Sequence, residues 1–150
     1  MIYRLYTAQD FSVLYAIEEV CFQPPFRFDR RLMKRLVGKS DSATWIAEED
    51  GVMCGFAVIE WTTDSNAILA YLQTLEVLPE WRGKHVGAGL LKKAEESARA
   101  AGAETVWLHV HEKNDGAIRL YEGRGYLRRG REEDYYAAGE AALVYERPLS

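Results

Sequence analysis

The chain has 150 residues, 48% hydrophobic and 28% charged, a composition that suits one compact domain (1–150) with a real core. A net charge of −4 excludes general nucleic-acid binding, because no basic surplus exists to neutralise phosphates. Two cysteines, Cys21 and Cys54, are too few for a disulfide framework and lack zinc-ligand spacing, so no metal is expected. MIYRLYTAQD has no signal-peptide pattern and no apolar run approaches membrane-spanning length; a cytoplasmic protein with no membrane partner is the expectation.

In chain order, Ile2 to Tyr6 alternates as a first strand. Thr7 or Asp10 can cap a helix whose apolar positions Phe11, Leu14, Tyr15, Ile17 and Val20 recur at helical spacing. Phe22-Gln23-Pro24-Pro25-Phe26 follows, where two prolines forbid helix and leave aromatic groups on a loop. Asp29 caps a short helix to about Val37. Trp45 to Ala47 and Val52 to Trp61 read as strands joined across Asp50-Gly51, a two-residue hairpin signal. Ala67 to Val77 is a fourth strand, ended by Pro79. Leu90, Leu91, Ala94 and Ala98 mark one face of a helix from Val86 to Ala101. Thr105 to His111 is a fifth strand, with Trp107, His109 and His111 on the face opposite Val106, Leu108 and Val110. Asn114 caps a helix to about Arg124, and strands at roughly Tyr126–Arg131 and Ala141–Glu146 close the chain. The order β-α-α-β-β-β-α-β-α-β-β is that of an α/β fold with a mixed sheet.

Chemistry concentrates between the fourth strand and the following helix. Val77-Leu78-Pro79-Glu80-Trp81-Arg82-Gly83-Lys84-His85-Val86-Gly87-Ala88-Gly89 runs strand, glycine-rich turn, helix. A helix N-terminus presents unpaired N–H groups and partial positive charge to a phosphate, and Arg82 and Lys84 add charge. The turn is not a Walker A loop, since Leu90 and Leu91 stand where Lys-Ser/Thr is needed. Nor does it complete a dinucleotide fingerprint, which needs a further glycine beyond Gly89.

Arg82-Gly83-Lys84-His85-Val86-Gly87 resembles the Gln/Arg-x-x-Gly-x-Gly/Ala motif of the GNAT superfamily of N-acetyltransferases, with His85 in place of its first glycine. Asn114-Asp115-Gly116-Ala117-Ile118-Arg119-Leu120-Tyr121 through Gly125-Tyr126 is similar to the same family's second signature. The resemblance implies a mixed, mostly antiparallel sheet with flanking helices, splayed between its fourth and fifth strands, with acetyl-CoA in the gap. It assigns cofactor contacts to Leu75 and Val77 on the strand, to Arg82 through Ala88 in the turn, and to Asn114, Ala117 and Tyr121 beyond. At His85 it implies mainly a backbone N–H contact, with the side chain turned outward.

Tyr71-Leu72-Gln73-Thr74-Leu75, Trp107-Leu108-His109-Val110 and Asp134-Tyr135-Tyr136 look like the protein N-terminal acetyltransferases within that superfamily, including the type acting on a ribosomal-protein alanine. On that likeness Tyr71 and His109 are candidate bases and Tyr121 the proton donor to the leaving thiolate. Phe22, Phe26, Gln73, Tyr135 and Tyr136 would then meet the acceptor. A mild base suits an α-amine: at a pKa of ~7.7–8.0 about a tenth is neutral at pH 7, against well under a thousandth of a lysine amine at ~10.4. Read singly, the residues keep other roles open: a hydrogen-bonded strand histidine at 109, cross-strand packing at Tyr71, core packing at Tyr121, simple capping at Asn114 and a hairpin flank at Tyr135-Tyr136. Expected partners are a protein or peptide N-terminus, or a small amine, with the chain a monomer or homodimer. A small-molecule acetyltransferase and a non-catalytic acyl-CoA-binding module are the alternative readings.

Overall fold

The alternation read in the fifth strand governs how the whole sheet is covered. The computed structural model describes residues 1–64 and 66–149. Its strands are β1 (Ile2–Leu5), β2 (Ser42–Glu49), β3 (Val52–Asp64), β4 (Ala67–Val77), β5 (Thr105–His111), β6 (Leu127–Ala137) and β7 (Glu140–Pro148). The helices are α1 (Phe11–Cys21), α2 (Arg30–Val37), α3 (Val86–Ala100) and α4 (Asp115–Gly123). Among the described residues the strands form one sheet in the order β1-β2-β3-β4-β5-β7-β6, antiparallel except for the β4–β5 pair.

Successive residues of a strand face opposite ways, so each central strand feeds two cores. Ile59, Leu72, Val106 and Leu108 pack against Leu90, Leu91, Ala94 and Ala98 of α3. Ile46, Phe56 and Val58 pack on the other face against Phe11 and Leu14 of α1 and Met33 of α2. The helices begin where the sequence indicates. The Asp29 side chain accepts from Leu32 N–H at 2.7 Å, and Thr7 N–H is held by Asp10 at 2.7 Å in a single 3-10 turn that leads into α1. At the β2–β3 turn Asp50 and Gly51 both take positive φ, 50° and 79°, the geometry a tight hairpin requires.

Several boundaries differ from the sequence reading. β2 starts at Ser42 rather than Trp45, β3 continues to Asp64, and β6 runs to Ala137 rather than Arg131. β6 is an edge strand exposed on both faces over most of its length, so it has no apolar alternation to reveal where it ends. Tyr126, read as the start of that strand, lies before it and is buried, its hydroxyl donating to Glu95 at 2.9 Å.

Glu95 ties α3 to the C-terminal end of α4. It is 2% exposed, hydrogen-bonded by Arg124, and 3.0 Å from Arg147 Nη1. Removing a buried charge strands its partners, whereas an exposed pair such as Arg129–Glu146 is screened by water. Glu95→Ala is expected to cost about 3 kcal/mol in urea unfolding and Arg129→Ala under about 0.5 kcal/mol. Equal effects would contradict the assignment of Glu95 as the buried anchor.

Candidate active site

The site begins with an interruption in strand pairing. Between β3 and β4 the register passes from Ile59–Leu72 to Val58–Thr74, leaving Gln73 as an extra residue in a β-bulge. On the other side, β4 pairs with β5 only from Leu69–Thr105 to Leu72–Leu108. Beyond that point the strands part, and the gap opens into a cavity of about 770 Å³ that passes from one face of the sheet to the other.

On the α3 side the cavity is bounded by Leu75, Val77, the turn residues Trp81–Gly83 and His85–Ala88, and Asn114, Ala117 and Tyr121. Apart from Trp81, these are positions that the family resemblance assigns to the cofactor; Lys84, assigned with them, does not line the opening. His85 caps α3 with φ 66°, in the left-handed region, and its side chain is exposed. Glycine takes that conformation at no steric cost, which is the physical reason a glycine is customary there. Gly87 lies against α4: a Cβ there would stand 3.1 Å from Leu120 Cδ2. Arg82 does not simply project into solvent. Its Nε donates to Val77 O at 2.8 Å, so the guanidinium is fixed to the end of β4. The Lys84 ammonium lies over the Trp81 ring, 5.1 Å from its centroid. Asn114 caps α4, its side chain accepting from Ala117 N–H at 3.3 Å. Tyr121 is buried and faces the cavity, with its phenol held well above the usual range by burial and then by Tyr136 and Glu76 nearby.

On the opposite side, β4 and β5 bring together Tyr71 and His109. The Tyr71 hydroxyl lies 2.7 Å from His109 Nδ1. Trp107 packs on Tyr71 with ring centroids 4.5 Å apart, and Tyr135 stacks on His109 at 4.1 Å and 14°. Burial is the main cause of a raised Tyr71 phenol pKa, with Tyr135 second, so Tyr71 stays protonated. His109 Nε2 lies 3.2 Å from Glu132 Oε1, without the alignment of a hydrogen bond. Tyr135 and Tyr136 sit where β6 leaves its register with β7 between Glu132 and Ala137, a wide bulge in which Asp134 takes φ 55° and its side chain accepts from Gly139 N–H at 2.6 Å. This irregularity aims Tyr136 at the Phe22–Phe26 loop, and its ring meets Phe26 at 5.1 Å. Gln73 lines the same cavity, but its Nε2 donates to Glu60 at 2.6 Å.

Several residues here were not singled out by the sequence reading. Glu132 and the His111–Glu140 pair come from the β6–β7 hairpin, whose register no pattern disclosed. Glu18 and Glu76, 0% and 3% exposed, were findable. Glu18 falls on the buried stripe of α1 with Leu14 and Tyr15, and Glu76 lies between two strand residues that border the cavity. A charge in either place contradicts the local pattern. Among the described residues no cluster of His, Cys, Asp or Glu has the makings of a metal site, and no helix is long and apolar enough to cross a membrane.

Residues 3–126 match the Acetyltransferase (GNAT) family, and the chain belongs to that family. It is 32% identical over 114 residues to streptothricin acetyltransferase of Streptomyces lavendulae, a match that covers 73% of this chain and 59% of that protein. It is 30% identical over 118 residues to an N-alpha-acetyltransferase of Sulfurisphaera tokodaii, covering 73% of this chain and 71% of the relative. Its fold superposes on the ribosomal-protein-S18-alanine N-acetyltransferase from Escherichia coli with a TM-score of 0.87 at 23% identity, over 99% of this chain and 94% of the other. The splayed mixed sheet is therefore the fold of the acetyl-CoA-dependent N-acetyltransferases.

The left-handed cap gives a direct test of the turn. His85→Val, β-branched at positive φ, is expected to lose about 1–2 kcal/mol of stability in urea, while His85→Gly loses none. Equal losses in both variants would show that His85 does not hold φ 66° in solution.

Proposed function

We propose that this protein transfers an acetyl group from acetyl-CoA to the α-amine of a protein or peptide N-terminus, by direct attack within a ternary complex. The observation that carries the reading is the 2.7 Å contact between Tyr71 and His109 at the point where β4 and β5 part. A neutral tyrosine cannot by itself take a proton. It can accept one on its oxygen while passing its own to His109 Nδ1, so His109 is the base and Tyr71 the relay. That role needs Nδ1 free and the ring proton on Nε2, the tautomer that faces Glu132 across 3.2 Å.

The amine nitrogen then bonds to the thioester carbonyl carbon, the C–S bond breaks, and the departing thiolate takes the Tyr121 phenol proton. The cofactor's pyrophosphate would lie on the N–H groups of the turn from Arg82 to Ala88, with Leu75, Val77, Asn114 and Ala117 along the rest of its length. Phe22, Phe26, Gln73, Tyr135 and Tyr136 would border the acceptor. We place the reaction on a single domain, 1–150, in the cytoplasm, acting as a monomer or homodimer with no nucleic-acid or membrane partner.

A small amine as acceptor is the second reading. The 5.1 Å contact of Phe26 with Tyr136 favours it, because it bridges the acceptor mouth that an extended peptide would have to open. Initial rates with acetyl-CoA across free-N-terminus peptides, lysine side chains and small amines separate the two. The peptide reading expects the highest kcat/KM for α-amines, and acetylation confined to small amines would overturn it.

For the proton path, His109→Ala and Tyr71→Phe should each lower kcat by about 10²-fold while the Kd for acetyl-CoA stays within about threefold. Unchanged kcat in both would remove them from the mechanism.

A further inference from the structure

Nothing in the Tyr71–His109 pair itself gives the proton path a direction. The Tyr71 hydroxyl and His109 Nδ1 lie 2.7 Å apart, and a phenol and a neutral imidazole can each donate or accept. Burial foremost, and then Tyr135, hold the Tyr71 phenol above its usual range, so it carries a proton that can turn either way. Only one arrangement works as a relay: Nδ1 must be bare and the ring proton must sit on Nε2. What lies at Nε2 therefore decides whether the pair can act.

Glu132 of β6 lies there, its Oε1 3.2 Å from Nε2. An ionised carboxylate has no proton to give, so it fits against an N–H and not against a bare ring nitrogen. The contact stands off the line of a hydrogen bond. The Glu132 side chain, however, is 51% exposed and has no other ion pair among the described residues, which leaves it free to turn onto the ring. The His109 side chain is 8% exposed, with Tyr135 stacked on it at 4.1 Å and Trp107 edge-on at 5.3 Å, so the ring is held against a flip that would exchange its two nitrogens. The same hairpin repeats the arrangement two residues along β5, where Glu140 Oε2 lies 2.5 Å from His111 Nε2.

We propose that Glu132 is a positioning residue: by accepting from Nε2 it leaves Nδ1 of His109 bare, and so directs the Tyr71 proton toward His109. The placement of the proton stands on these contacts alone, whereas its effect on the rate rests on the proposed function. During turnover the acceptor's ammonium proton passes to the Tyr71 oxygen and the Tyr71 proton passes to Nδ1. The carboxylate then faces the resulting imidazolium without taking a proton itself.

The test has two arms, and the first needs no turnover. NMR of the histidine ring nitrogens at mildly alkaline pH, where a histidine ring is neutral, reports which nitrogen holds the proton. The wild type should show His109 with its proton on Nε2 only. Glu132→Ala should show both tautomers at His109, since water and a phenol each donate and accept. Glu140→Ala, which removes the partner of His111, should leave His109 as in the wild type. A wild-type His109 protonated on Nδ1 overturns the proposal, as does an unchanged ring in Glu132→Ala or a changed one in Glu140→Ala.

The second arm is kinetic. Glutamine keeps the shape of Glu132 but removes its charge and lets an N–H face the ring as readily as an oxygen. Glu132→Gln should lower kcat about tenfold with both KM values within about twofold, and Glu132→Asp should lose less. In a His109→Ala background Glu132→Gln should change kcat less than about twofold, because a residue acting through His109 has nothing left to act on. An equal loss in both backgrounds overturns the positioning role. Should the wild type acetylate no amine, the proposed function fails and the ring spectra still decide where the proton lies.

Discussion

One broken pairing organises this molecule. β4 and β5 run parallel and bonded only as far as Leu72 and Leu108, and the extra residue Gln73 turns β4 away from there. A fully paired parallel sheet would have no interior opening, because its strands are covered on both faces by helices. Here the separation exposes the ends of both strands to a cavity reached from either side. α3, beginning at Val86, aims its N-terminal N–H groups into one entrance, and the Tyr71–His109 pair stands at the other. Cofactor and acceptor can therefore approach from opposite faces and meet where the sheet is interrupted.

Electrostatics differ on the two sides. The turn before α3 is held open by backbone geometry: left-handed His85, Arg82 fixed to the end of β4, and Gly87 against α4. Few charges there are committed to buried partners, which suits a site for a flexible anion. The opposite side is dense with tyrosines, histidines and glutamates, and the Tyr71–His109 and His111–Glu140 hydrogen bonds restrict where protons can sit. Raised phenol pKa values keep Tyr71 and Tyr121 neutral, the state that the proposed relay and donor roles require.

How much was readable in advance followed the strength of local patterns. Helix caps at Asp29 and Asn114, the Asp50-Gly51 turn and the two-faced β5 each follow from short-range rules, and the structure agrees with them. Glycine-rich chemistry between Arg82 and Gly87, joined to Asn114–Tyr126, pointed to the family that the comparisons identify. The bulges were hidden, because neither Gln73 nor the Glu133–Tyr136 stretch differs in composition from ordinary strand or turn. Glu132 consequently could not be placed beside His109. Glu18 and Glu76 were legible only as violations, charges on a buried stripe and on a strand beside the cavity.

That the splayed gap is the cofactor site is the claim on which the rest stands. Backbone amide NMR during titration with acetyl-CoA tests it most directly. The account predicts the largest shifts at Leu75, Val77, residues 83–88 and Asn114–Ala117, with β1 and the solvent face of α2 unmoved. Saturating acetyl-CoA that leaves those amides unshifted, or that shifts a surface remote from β4 and β5, would contradict it.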